Sequence, residues 1–220
     1  GGLLLFGSDH IERDGDGVAV GARNSLFALD AQGVIHGRYD KAHLVPGGEY
    51  LPFRSLMEPI GLARLVPGTL DFWGGPGPRT LHLPGPYGTW LPPVGVQICY
   101  EIIFPARVVD AADRPAWLLT ISNDAWFGSH GPPQHFAQAR LRAIEEGVPV
   151  VRATPTGITG VIDARGGVAA VLPRHESGVL HALLPSPLPP PPFARWGHAM
   201  TALFALLLAA LALQARRRGF

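Results

Sequence analysis

The sequence predicts a fold that mixes strands and helices, of the α/β or α+β class. Two short apolar runs, residues 94–98 and 117–121, have the length and composition of buried strands. Residues 133–146 repeat apolar side chains at helical spacing and are followed by Gly147, a common helix C-cap. Because crossovers and hairpins both occur along the chain, spacing alone leaves the two classes open.

The other elements are predicted from the same local patterns. Residues 24–30 and 34–39 flank a short turn and indicate a hairpin. Residues 54–92, rich in proline and glycine, are expected to form a long excursion that contains one short helix. A helix is expected over residues 106–112. Further strands are expected over residues 3–6, 80–83, 148–153, 160–163 and 168–172.

The composition excludes several classes of protein. The net charge of +1 gives no strong field for nucleic acid, so no nucleic-acid partner is expected. Hydrophobic residues make up 47% of the chain, too many for a disordered protein. Charged residues make up 16%, below the roughly 25% of soluble domains. We therefore expect part of the chain to contact something other than water.

The C-terminal forty residues change character. Residues 185–195 are rich in proline and predict an extended linker. Residues 199–213 form an apolar run, with Trp196 just upstream and three arginines, residues 216–218, just downstream, as in membrane anchors. A buried core helix is the alternative. We expect a catalytic domain over 1–184, this linker, a transmembrane helix over 196–215 and a cytoplasmic tail over 216–220.

Cys99 is the only cysteine of the chain and directly follows the strand predicted over residues 94–98. A helix is expected to begin there, and a helix N-terminus favours the thiolate form of a cysteine. The residues alone leave two interpretations open. Cys99 is either a nucleophile at a strand end or a small residue of the core.

Further motifs surround Cys99 in a fixed order. Residues 39–52 contain Lys41 and Glu49, and residues 119–128 form a strand ending in Asn-Asp-Ala-Trp-Phe. Lysine, cysteine and this last motif resemble the carbon–nitrogen hydrolase (nitrilase) superfamily. Residues 134–140 and 156–159 extend the resemblance to the apolipoprotein N-acyltransferase family within it. The resemblance covers nearly all of the chain and implies a four-layer α-β-β-α sandwich, incomplete at its N-terminus and followed by one transmembrane helix.

The resemblance assigns roles to individual residues. It implies that Cys99 and Lys41 belong to a Glu-Lys-Cys triad, with Glu49 orienting the lysine; without the motif, Lys41 would be an ordinary surface residue. The Tyr100 backbone N–H is a candidate second oxyanion donor. Tyr100 and Glu101 are further expected to contact substrate. Trp126 and Phe127 are expected either to do so as a wall of the acyl pocket or to pack in the core.

The implied reaction moves an acyl chain from a phospholipid to Cys99 and then to the α-amine of a diacylglyceryl-cysteine on an apolipoprotein. The implied location is the bacterial inner membrane, with the catalytic domain outside and the C-terminus in the cytoplasm. No cofactor is implied, and histidine spacing predicts no metal site. A nitrilase or amidase that uses water as acceptor, or a non-catalytic membrane scaffold, is the alternative.

The triad's general-base glutamate lies upstream of these residues in the resembled family. Glu12 precedes Lys41, but its surroundings do not match, so no base is assigned. The chain begins with Gly1 and an apolar strand, without a signal peptide. We therefore expect it to be a C-terminal fragment that is inactive alone.

Overall fold

The computed structural model describes residues 2–60 and 71–217, which contain nine strands and four α-helices. The strands are β1 (Leu4–Arg13), β2 (Ala19–Leu29), β3 (Ile35–Asp40), β4 (Thr80–Leu81), β5 (Val94–Ile98), β6 (Trp117–Ile121), β7 (Val150–Ala153), β8 (Thr159–Ile162) and β9 (Val168–Leu172). The helices are α1 (Arg54–Met57), α2 (Gly131–Glu146), α3 (Pro192–Trp196) and α4 (His198–Arg217). Short 3-10 turns lie at Glu58–Ile60, Pro86–Gly88, Cys99–Ile103 and Asp124–Phe127.

The first sheet contains three antiparallel strands in the order β1-β2-β3. The β2–β3 hairpin confirms the pairing predicted for residues 24–30 and 34–39. Strand β1 runs on to Arg13, well beyond the predicted residues 3–6, because β2 pairs with it from Ala19 onward. The Asp14 carboxylate accepts the Asp16 and Val18 N–H groups in the turn between them.

The second sheet contains six strands in the order β4-β5-β6-β7-β8-β9. Strands β5, β6 and β7 are parallel, whereas β4, β8 and β9 pair with their neighbours antiparallel. The predicted bounds of β5, β6 and β9 are confirmed. Because β5, β6 and β7 are parallel, their carboxyl ends meet at one edge of the sheet, where ligands commonly bind in such folds.

The two sheets pack face to face, and α2 covers the other face of the six-stranded sheet. Between the sheets, buried side chains of β2 and β3 contact those of β4, β5 and β6; they include Leu26, Tyr39, Leu81, Val96 and Leu119. On the far side, Ala139 and Ala143 of α2 pack against Leu118, Val150 and Ile162. These layers, sheet on sheet and helix on sheet, are three of the four expected of the sandwich.

The helix expected over residues 106–112 is wrong, because this segment forms turns. Ala106 has a left-handed backbone, with φ of 58°. The Asp110 carboxylate accepts the N–H groups of Ala112 and Asp113, which gives the backbone an alternative to helical bonds. In the excursion, α1 and the 3-10 turn Glu58–Ile60 supply the short helix expected there, while residues 61–70 lie outside the described residues.

The proline-rich segment is held against the domain. The Leu188 N–H donates to the Gly147 carbonyl at 2.8 Å, and a Cβ at Gly147 would lie 2.8 Å from Pro191 Cδ. The helix expected from residue 196 begins at His198, because Gly197 has φ of 51° and ψ of −136°, a conformation that ends α3. Helix α4 is long and apolar enough to cross a bilayer, and none of its described residues is buried.

Candidate active site

Cys99 lies immediately after β5 and is partly buried. Its backbone is left-handed, with φ of 51°, which is unusual for a residue other than glycine. The helix expected to begin there is a 3-10 helix of five residues, Cys99–Ile103. Such a short turn has little dipole, so the surroundings of Cys99 depend on neighbouring side chains instead.

Cys99 lines a cavity of about 680 Å³ at the carboxyl ends of the parallel strands. Ile98 of β5, Ile121 of β6 and Ala153 of β7 contribute to its wall. The cavity also brings together five residues expected from the sequence: Cys99, Lys41, Glu49, Trp126 and Phe127. Much of the remaining wall is apolar, including Val45, Pro46 and Phe72.

Lys41 is buried although it carries a charge, with 1% of its surface exposed. Its ammonium donates to Glu49 Oε2 at 2.7 Å. Glu49 also accepts the Val45 N–H and the Asn24 side-chain amide. Asn24 lines the same cavity and was missed by the sequence analysis, which had no local signal for a contact across sheet strands. Because Glu49 is held by several donors, it can fix the position of the Lys41 ammonium.

Glu101 lies beneath the cavity and does not line it. Its carboxylate accepts the Ile98, Ala42 and His43 N–H groups at 2.8, 2.7 and 3.1 Å. The Tyr39 hydroxyl also donates to it. Burial raises the pKa of Glu101, and these donors only partly offset the effect. Glu101 therefore ties the segment before Cys99 to the segment after Lys41.

Tyr100 is also outside the cavity wall; its ring packs edge-on against Phe104, with centroids 4.9 Å apart. Trp126 and Phe127, in contrast, lie on the 3-10 turn Asp124–Phe127 and remain 69% and 41% exposed. Two aromatic side chains this exposed at the mouth of an apolar cavity can contact a ligand there. Trp126 and Phe127 therefore line the cavity, whereas Tyr100 and Glu101 do not, although all four were candidates for contact with substrate.

A buried polar network lies behind Cys99. The His135 Nε2 is 3.1 Å from the Cys99 carbonyl oxygen, and His135 Nδ1 is 3.0 Å from Asp124 Oδ1. Arg152 Nη2 donates to Asp124 Oδ2. Burial would raise the pKa of Asp124, but the bonds to His135 and Ser122 and the charge of Arg152 outweigh it and hold that pKa at about 2.

The sequence analysis assigned no role in the site to His135, Asp124 or Arg152. One signal was present, because Arg152 is a single cation within the apolar strand β7. Such a charge is buried only with a partner. Burial lowers the pKa of Arg152, whereas the negative charge of Asp124 and the hydrogen bond to it act in the opposite direction.

Glu12 lies away from the cavity, where it forms an ion pair with Arg23 at 2.5 Å. The hydrogen bond from Arg23 holds the pKa of Glu12 below its usual value. Among the residues that the structure describes, Glu49 is the one carboxylate in the cavity wall. Across the same residues, no cluster of three histidines, cysteines or carboxylates could hold a metal ion.

Cys99, Lys41 and Glu49 thus line one cavity at the end of a parallel sheet, and the sequence that carries them matches one family of proteins. Residues 3–188 match the carbon-nitrogen hydrolase family, and the chain is a member of it. An amidase from Nesterenkonia sp. has a similar fold, with a TM-score of 0.52, 18% identity, and coverage of 79% of this chain and 57% of that one. A variant of the Nesterenkonia AN1 amidase, described as a nitrilase-superfamily protein, also has a TM-score of 0.52, at 17% identity, and covers 79% of this chain and 58% of that one.

The chain is also similar in sequence to individual proteins of known name. It is 44% identical over 197 residues to the apolipoprotein N-acyltransferase of Rhodopseudomonas palustris, covering 89% of this chain. The apolipoprotein N-acyltransferase of Bradyrhizobium diazoefficiens is 42% identical over 196 residues, also 89% of this chain. The chain spans 36% of the length of each of these relatives.

Proposed function

We propose that this chain carries the catalytic centre of an acyltransferase that moves a phospholipid acyl chain to the N-terminal diacylglyceryl-cysteine of apolipoproteins. The observation that carries the proposal is the meeting of Cys99, buried Lys41 and Glu49 in one largely apolar cavity. The names of the similar relatives support the choice of reaction within the family.

In the first step, the Cys99 sulfur attacks the acyl ester carbonyl of the phospholipid. A C–S bond forms, the ester C–O bond breaks, and the thiol proton leaves with the lysophospholipid hydroxyl. The Lys41 ammonium, held by Glu49, stabilises the oxyanion of the tetrahedral intermediate, with the Tyr100 N–H as a second donor. Tyr100 therefore contributes through its backbone, consistent with a side chain that packs away from the cavity.

In the second step, the α-amine of the diacylglyceryl-cysteine attacks the thioester. The C–N bond forms, the C–S bond breaks, and the amine proton returns to the Cys99 sulfur. Hydrolysis of the thioester would compete, so the site must exclude water. Apolar wall residues such as Val45 and Phe72 support that role, and Trp126 and Phe127 form the side along which an acyl chain lies.

Helix α4 anchors the protein in the bacterial inner membrane in this proposal. Its exposed apolar surface, Trp196 near one end and arginines at the other match an interfacial anchor and the positive-inside rule. The orientation follows, with the arginines in the cytoplasm and the cavity on the outer side. Both proposed substrates are membrane lipids, which a membrane anchor brings within reach. The segments 1–184, 185–195, 196–215 and 216–220 then act as catalytic domain, linker, span and tail.

The test incubates the full-length protein with a phospholipid of one defined acyl chain and measures the mass of the Cys99 peptide. We expect an acyl adduct that hydroxylamine removes, and none with Cys99→Ala. Addition of a diacylglyceryl peptide should transfer the chain to the peptide amine. Release of fatty acid to water alone would favour the hydrolase alternative. A Cys99 that stays unmodified would favour the scaffold.

The orientation is tested separately in intact spheroplasts. Single cysteines are placed near Phe220 and in the loop at residues 85–90, in a Cys99→Ser background, and treated with a membrane-impermeant thiol reagent. We expect labelling of the loop cysteine only. Labelling near Phe220 alone would reverse the orientation, and labelling of both would contradict a single membrane span at α4.

A further inference from the structure

The buried network behind Cys99 has no part in the proposed bond changes, yet it contacts the backbone of the nucleophile. The side chains of Asp124 and Arg152 have no exposed surface, and that of His135 is 4% exposed. A buried ion pair is seldom retained for stability alone, because removing both charges from water costs about as much as their attraction returns. The network therefore requires another explanation.

Cys99 supplies one. A left-handed backbone at a non-glycine residue is strained and persists only when neighbouring groups hold it. The Cys99 carbonyl accepts a hydrogen bond, so His135 Nε2 must carry the proton that lies between them. This bond reaches the peptide unit that directly follows the strained residue. It restricts rotation there and so restricts where the Cys99 sulfur points.

The imidazole ring is itself fixed from the other side. Its Nδ1 lies 3.0 Å from Asp124 Oδ1 and 3.1 Å from Arg152 Nη2, so the ion pair holds the ring plane in either protonation state. A Cβ at Gly157 would lie 2.2 Å from Asp124 Oδ2, so the loop after β7 encloses the carboxylate closely.

We infer that His135 is a positioning residue for the proposed reaction, acting through the Cys99 carbonyl, with Asp124 and Arg152 orienting its ring. The inference rests on the proposed function for its acyl-transfer readout. It predicts that the bond from Nε2 to the carbonyl sets the acylation rate, while substrate affinity, determined by the cavity wall, stays unchanged.

Two polar substitutions at position 135 distinguish the role of the His135 Nε2 bond from that of the Nδ1 contact. The amide nitrogen of glutamine is as many bonds from Cα as His135 Nε2, whereas that of asparagine is as many bonds from Cα as Nδ1. His135→Gln can therefore still donate to the Cys99 carbonyl, and His135→Asn can still contact Asp124 but not that carbonyl. Glu146→Gln is the matched control, because it removes a buried charge from the same helix, in the pair with Arg114.

The experiment uses the full-length protein in membranes and measures three quantities. These are the rate of Cys99 acylation at varied phospholipid concentration, the rate of Cys99 alkylation by iodoacetamide, and the thermal midpoint. We expect His135→Asn to lower the maximal acylation rate about tenfold or more at similar apparent KM, and to slow alkylation. His135→Gln and Glu146→Gln should stay within about threefold of the parent protein.

Equal rates in His135→Asn and His135→Gln, whether both normal or both slow, would overturn the inference, because the two variants differ in the carbonyl bond. A loss of rate in Glu146→Gln that matches His135→Asn would overturn it too, by showing a general effect of a weakened helix. Alkylation needs no lipid. If the parent protein forms no acyl adduct but His135→Asn alone slows alkylation, the proposed function fails and the positioning role stands.

Discussion

In front of Cys99, Lys41 and Glu49 line a cavity of about 680 Å³, whereas behind it Asp124, His135 and Arg152 are closed off from solvent. Both sides hold one basic residue paired with one carboxylate. Lys41 can meet a ligand in the cavity, but Arg152 can meet only the protein. In the proposed reaction, the two ion pairs have different tasks: the front pair meets the charge that develops during reaction, and the rear pair keeps the geometry of Cys99 fixed.

The choice of cation supports this division. Of the 18 lysines and arginines in the chain, only Lys41 is a lysine. Lysine presents a compact point charge, whereas the planar guanidinium of arginine can donate to several fixed acceptors, as Arg152 does to Asp124 and to the Ile158 carbonyl. The front position therefore carries the cation suited to an oxyanion, and the rear position the cation suited to a rigid network.

The largest effect is expected from breaking the rear pair. Asp124→Asn leaves the Arg152 charge buried without its partner, and should lower the free energy of unfolding by about 3 kcal/mol or more near neutral pH. The pKa of Asp124 is lowered from 3.8 to about 2, so its ionised form stabilises the fold above pH 3.8, and this stability is lost as the pH falls through about 2. Denaturant titration should show that the difference in free energy of unfolding between Asp124→Asn and the parent protein decreases by about 2 kcal/mol as the pH falls from 3.8 through about 2. A difference in unfolding free energy that does not change with pH would contradict the lowered pKa of Asp124.

At the front, Lys41→Arg should slow acylation of Cys99 by about 10² or more, the scale of losing one oxyanion donor, although the positive charge remains. Single-turnover acylation measures it. Arg114→Lys is the control, a similar exchange at a pair outside the cavity wall, and should retain the parental rate. Near-normal acylation by Lys41→Arg would show that the shape of the cation at this position does not matter for the reaction.

Glu101 joins the two sides, because its carboxylate holds the N–H groups of Ile98 and of Ala42. Glu101→Gln replaces one accepting oxygen by a donor that faces N–H groups, and should cost about 2 kcal/mol of unfolding free energy as well as slowing acylation. Chemical denaturation and the acylation assay test both effects. Loss of stability with an unchanged rate would show that this junction does not align the site.

The smallest effect is expected at Ser122, whose hydroxyl donates to Asp124 Oδ1 at 2.7 Å. Ser122→Ala removes one of several bonds to that carboxylate and should cost about 1 kcal/mol, measured as a lower denaturation midpoint. Thr156→Ala, at a more exposed hydroxyl bonded to Asn123, is the comparison and should cost less. An equal cost at both positions would argue against special importance of the Asp124 network.

The front of the site could be predicted from the sequence, and the rear could not. Lys41, Glu49 and Cys99 each lie in a motif, and the strand before Cys99 has an apolar run that sets its bounds. The rear network joins β7, α2 and the turn after β6, so its contacts depend on how these elements pack. The wrong helix over residues 106–112 has a similar origin, because Asp110 and the left-handed Ala106 outweigh a helical composition.

If α4 spans a membrane as proposed, the proline-rich segment determines how the cavity meets a membrane-bound substrate. A flexible linker would let the domain explore a volume that grows with linker length, which dilutes the substrate that it encounters. Here Leu188 is bonded to Gly147, and Arg195 donates to the Pro190 carbonyl, so little free chain precedes α4. With α4 in a bilayer, the cavity stays at a nearly constant height, and its encounter rate depends on the surface density of lipids rather than on their bulk concentration.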